Sequence, residues 1–67
     1  MVTLKRRVRV HQKDGGPTID GIQVARSRHD LFLLAAELVV GGGKTEPLEG
    51  RIAIPVSNIL FKQELSS

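Results

Sequence analysis

The sequence predicts an all-β fold, a single small curled sheet of short strands, from three observations. Apolar and polar residues alternate with the two-residue period of a strand that buries one face. Glycine- and proline-bearing breaks divide the chain into five segments. At 67 residues and no cysteine, the chain has room for one domain, 1–67, and no disulfide to staple it.

Residues 2–11 form the first predicted strand, with Val2, Leu4, Val8 and Val10 on one face and Thr3, Lys5, Arg7, Arg9 and His11 on the other. Arg6 falls on the apolar face, where its stem can snorkel to the rim of a small barrel and its charge discourages edge pairing. Asp14-Gly15 and Gly15-Gly16 then supply the positive φ angles of a hairpin turn. A second strand runs over about 18–27. Its apolar phase slips across Gly21, from Ile19 to Ile22 and Val24, which predicts a β-bulge at the glycine.

Residues 31–40 are ambiguous. Leu31, Leu33, Leu34, Ala35, Ala36 and Leu38 are good helix formers, with Ser27 or Asp30 to cap the start and Gly41 to Gly43 to end it. A helix here would be apolar on every side except at Glu37, and a domain this small has too little protein to surround it. A buried strand with a bulge near Ala35-Ala36 is the preferred reading, and an α+β fold with a helix at about 30–40 is the alternative. A glycine-rich loop is expected over 41–47, then a strand over 48–54 that Pro55 ends. Val56, Ser57 and Asn58 suffice for one turn of 3₁₀ helix. The final strand, 59–65, is expected to point Ile59, Phe61 and Leu65 inward and Leu60, Lys62 and Glu64 outward. The sum is a five-stranded SH3-like or Sm-like barrel with a 3₁₀ turn before its last strand.

Catalytic chemistry finds no footing, and a non-enzymatic protein is predicted. His29 and Asp30 are neighbours on an extended chain and point to opposite faces, so they make no base-and-orienter pair. His11 and His29 share no ligand spacing and there is no thiolate, so no metal site is expected. Gly43-Lys44-Thr45 matches the end of a phosphate-binding loop, but Leu38 stands where the pattern requires its first glycine. No cofactor is implied. No apolar run reaches the ~20 residues of a membrane span, nor does an apolar stretch of a secretion signal follow Lys5, Arg6 and Arg7, so no membrane partner is expected.

Charge is the strongest chemical signal. Residues 1–30 carry seven Lys or Arg against three acids, and residues 31–67 three against four. Lys5, Arg6, Arg7 and Arg9 are therefore the candidate contact residues, set against an acidic protein surface or a phosphate backbone. Phe32, Leu34 and Leu60 are candidate partner-binding positions, because a lone barrel would leave them exposed. A chain so short and unstapled is expected to gain stability from other chains, its own copies included.

The stretch Leu48-Glu49-Gly50-Arg51-Ile52-Ala53-Ile54-Pro55-Val56-Ser57-Asn58-Ile59-Leu60-Phe61-Lys62-Gln63-Glu64-Leu65, together with Asp20-Gly21-Ile22, resembles a type of short β-barrel protein found in tailed bacteriophages. The resemblance implies a structural role in the virion, assembled in the cytoplasm of a bacterial host. The protein would be a minor capsid, decoration or head–tail accessory protein bound to the major capsid protein or another virion component. The alternative function is a small nucleic-acid-binding regulatory barrel that uses the basic first strand. A third reading is a host-takeover protein that inhibits a bacterial target.

Overall fold

The computed structural model describes residues 6–65. Lys5 and the start of the predicted first strand lie outside them. Strand β1 (Arg6–Gln12) buries Val8 and Val10 completely and turns Arg7, Arg9 and His11 to the other face, as its alternation requires. A turn containing Asp14 (φ 55°) and Gly15 (φ 72°) leads into β2 (Thr18–Arg26), which pairs antiparallel with β1. Residues 30–41 are extended: β3 (Asp30–Gly41) is a long strand that buries Leu31, Leu33 and Ala36, and the helical alternative is excluded.

Of the two expected bulges, the one near Ala35-Ala36 forms and the one at Gly21 does not. Asp20 pairs with Glu37 and Ile22 with Leu34, so the extra residue sits in β3, where Ala35 adopts φ 50°. Gly21 keeps regular register with Val8. Its requirement is space, since a Cβ there would lie 3.1 Å from the Leu33 Cβ and 3.3 Å from the Ala36 Cα. A second shift between Gln23 and Ala25 adds further twist to β2.

The stretch expected as a loop over 41–47 is a hairpin. After the turn at Gly41 to Gly43, β4 (Lys44–Pro47) returns along the far half of β3. Leu48 N–H donates to the Ala36 carbonyl at 2.8 Å, and the chain bends at Gly50 (φ 77°). It resumes as β5 (Ile52–Pro55) along the near half of the same β3 edge. The strand predicted over 48–54 is thus shortened to β5, and β4 and β5 share one strand position. The 3₁₀ turn Val56–Asn58 leads to β6 (Ile59–Glu64), which pairs with β1. The order across the sheet is β4-β3-β2-β1-β6, with β5 beside β4 on β3.

The core comprises Val8, Val10, Ile19, Leu31, Leu33, Ala36 and Ile54, with Leu38, Leu48, Ile52 and Ile59 packed around it. Ile59 points inward as expected, but a register shift follows it and turns Phe61 to the outer face, where it is half exposed. Lys62 and Glu64 pair with Val10 and Val8 and so share the inner face, at its solvent-exposed rim. One irregularity in β6 therefore inverts the expected phase of the last strand.

Candidate functional site

Two of the described arginines of the basic first strand are occupied by acids of this chain. Arg9 grips Asp20 with two parallel hydrogen bonds, Nε to Oδ1 at 2.7 Å and Nη2 to Oδ2 at 2.9 Å. The two residues face each other across β1 and β2, and Asp20 is only 5% exposed. The guanidinium hydrogen bonds hold the Asp20 carboxyl below the usual carboxylate range against the opposing effect of burial, with help from the charges of Arg9, Arg7 and His11. Arg9 is in turn made harder to deprotonate. Arg6 pairs with Glu64 of β6 at the exposed rim. Arg7 is exposed and forms no ion pair among the described residues.

A second basic group lies at the end of the barrel. Ser27 N–H donates to the Asp30 carbonyl at 2.8 Å, and Asp30 N–H to Ser27 Oγ at 3.0 Å, which closes the tight turn between β2 and β3. The 3₁₀ turn is clamped beside it: Val56 N–H donates to the His29 carbonyl at 2.8 Å, while Asn58 O accepts from Lys13 N–H at 2.8 Å. These bonds fix Arg26, Arg28, His29, Ser57 and Asn58 in one neighbourhood, all of them exposed. Neither Arg26 nor Arg28 forms an ion pair among the described residues. In the sequence alone this turn reads as a simple polar break, with nothing to join it to residues 57 and 58.

The predicted apolar contact residues are spread over the surface. Phe32 and Leu34 share the outer face of β3 with Ile22 of β2, and Leu34 is 41% exposed. The Arg51 guanidinium lies over the Phe32 ring, 4.6 Å from its centroid. Leu60, 61% exposed, is on β6, away from that face. Beside it Phe61 stacks on His11, centroids 4.2 Å apart, and His11 Nε2 donates to Gln63 Oε1 at 2.6 Å. The far edges of β6 and of the β4–β5 line have no strand partner among the described residues. No cluster of three or more metal-ligating side chains occurs among them either.

Comparison with a solved structure decides the fold. The heptameric SmAP1 protein of P.aerophilum superposes with a TM-score of 0.77 at 25% sequence identity, over 92% of this chain and 81% of that one. The fold is Sm-like. No family model matches the chain, and no curated protein does.

The Sm-like match corrects the virion reading. The apolar and turn patterns that resemble bacteriophage proteins belong to the strand, 3₁₀ turn and strand of an Sm-like barrel, here β5, Val56–Asn58 and β6. The assignment to a minor capsid or decoration protein, with a capsid subunit as partner, does not stand against that match. Such patterns encode a barrel and carry no signature of a virion.

Proposed function

We propose that this protein is a non-enzymatic, ring-forming Sm-like protein that binds single-stranded RNA at the barrel end carrying the β2–β3 turn and the 3₁₀ turn. The observation that carries the reading is the likeness to a protein whose own structure is a heptamer. Two features of this chain support it. Strand edges on opposite sides with no partner among the described residues, β6 and β4–β5, suit head-to-tail pairing of successive copies, and such heterologous contacts close into a ring when the rotation per copy is right. Exposed Leu60 and Phe61 on the β6 edge would be covered in the process.

The second feature is the pair of uncommitted cations. Copying Arg26 and Arg28 around a ring multiplies a weak local charge into a continuous basic track, which is what a flexible polyanion requires. Arg9 takes no part, because Asp20 already satisfies it. Sedimentation velocity of the protein with and without a single-stranded RNA oligonucleotide tests both halves of the reading. The expected result is a closed oligomer that binds the strand with an affinity that falls steeply with salt. A monomer that ignores RNA at low salt would overturn it.

A further inference from the structure

The outer face of the sheet carries an apolar patch that neither the strand edges nor the basic turn uses. Arg7, Ile22 and Leu34 stand opposite one another across β1, β2 and β3 and form one row. Phe32, two residues from Leu34 on the same face, lies across from Ala53 of β5. Leu34 is exposed although β3 is an interior strand, paired on both sides. Two cations flank the patch. Arg7 is exposed at one side, and at the other the Arg51 guanidinium lies 4.6 Å from the Phe32 ring centroid. Neither forms an ion pair among the described residues. The acids of the next row along the strands are engaged, Asp20 by Arg9 and Glu37 by the Thr45 hydroxyl that donates to it.

We propose that this face docks an acidic amphipathic helix of a partner protein, its apolar stripe on Ile22, Phe32 and Leu34 and its carboxylates on Arg7 and Arg51. The inference goes beyond the RNA reading and does not need it. Charge disfavours a second copy placed face to face on the patch, because like cations would meet with no unengaged acid between them. Head-to-tail pairing leaves the patch open, since it consumes the β6 and β4–β5 edges and not the face of β3. RNA is poorly matched here. Ile22 and Leu34 offer aliphatic surface without a stacking platform, and the Phe32 ring is already covered by Arg51. Aliphatic side chains gain from the same surface by burial alone. The spacing also fits: β1 and β3 lie two strand spacings apart, about 10 Å, and two turns of helix advance about 11 Å. A helix laid across the strands therefore brings a carboxylate to each cation, with apolar residues at i, i+3, i+4 and i+7 between them.

The test is a methyl-resolved NMR titration of the full chain with a synthetic helical peptide that carries leucines at i, i+3, i+4 and i+7 and glutamates at both ends of that stripe. A second peptide has lysine in place of each glutamate, and a single-stranded RNA oligonucleotide is the third ligand. The acidic peptide is expected to shift the Ile22 and Leu34 methyls saturably and to leave those of Val8 and Val10 in place. The lysine peptide, and the acidic peptide on the Leu34→Glu variant, should each bind about tenfold more weakly or worse. Arg7→Gln should weaken the acidic peptide about threefold, as for one exposed ion pair. Both side chains are exposed, so neither substitution empties the core. Arg28→Gln should weaken RNA and spare the peptide, which separates this proposal from the RNA reading. Peptide binding without RNA binding keeps the docking face and removes the RNA reading. The proposal is overturned if the acidic peptide shifts neither methyl, binds no better than the lysine peptide, or is indifferent to Leu34→Glu. RNA that shifts the Ile22 and Leu34 methyls where the acidic peptide does not would give the face to nucleic acid and overturn it as well.

Discussion

The basic strand β1 and the basic turn between β2 and β3 differ in what surrounds their charges. In β1, Arg9 is locked to a nearly buried Asp20, and Arg6 is paired with Glu64. In the turn, Arg26 and Arg28 stand exposed, with no acid bonded to either among the described residues. The strand holds the denser run of charge in the sequence, yet the turn holds more uncommitted charge in the folded chain. A ligand responds to the second quantity, because a guanidinium already bound bidentately to a carboxylate must break that pair before it can meet a phosphate.

The core on which both regions stand gives the largest expected effect. Ile54→Ala should destabilise the domain by about 2–5 kcal/mol in denaturant unfolding, since Ile54 is 1% exposed and pairs with Leu31 beneath the turn. A loss below about 1 kcal/mol would mean that β5 does not close the core. The buried pair comes next. Asp20→Ala should cost about 1.5 kcal/mol, the low end for a hydrogen bond to a charged group because solvent reaches Arg9. If that substitution were neutral, the contrast between a committed strand and an uncommitted turn would collapse.

Acid titration sharpens the same point. The Asp20 carboxyl is depressed in the folded state, so its stabilisation is complete above the unfolded carboxylate value of about 3.9 and is lost as pH falls through the lower folded value. Wild type should therefore lose stability more steeply below about pH 4 than Asp20→Asn, which has already lost that contribution. The smallest effect belongs to Arg6→Ala. Its exposed pair with Glu64 should contribute less than about 1 kcal/mol and fade with added salt.

Strand existence was legible in β1 because period-two alternation records burial directly, as Val8 and Val10 attest, whereas the unbroken apolar run at Leu31 to Leu34 left a helix open and favoured a strand only because so small a domain cannot surround a helix. The 3₁₀ turn after Pro55 was legible for a similar local reason. Phase inside a strand was less so. A single irregularity in β6 turned Phe61 outward, and alternation carries no mark of where a register will shift. The bulge near Ala35-Ala36 was legible, but the one expected at Gly21 is absent, because a phase slip seen in one strand can be absorbed by its partner. The β1 arginines were visible as charge, but their neutralisation by Asp20 and Glu64 depends on pairings 11 and 58 residues apart in the chain. The cluster of Arg26 and Arg28 beside Ser57 and Asn58 exists only once β3 and β5 pair and bring the two turns together.

The decisive experiment is the salt dependence of single-stranded RNA affinity, measured for wild type, Arg28→Gln and Arg9→Gln. Arg28→Gln is expected to lower the slope of log affinity against log salt by about 0.7 for each phosphate that the variant no longer neutralises. Arg9→Gln should leave the slope where it was. A slope that falls with Arg9→Gln and is indifferent to Arg28→Gln would place the RNA on the strand and overturn the assignment to the turn.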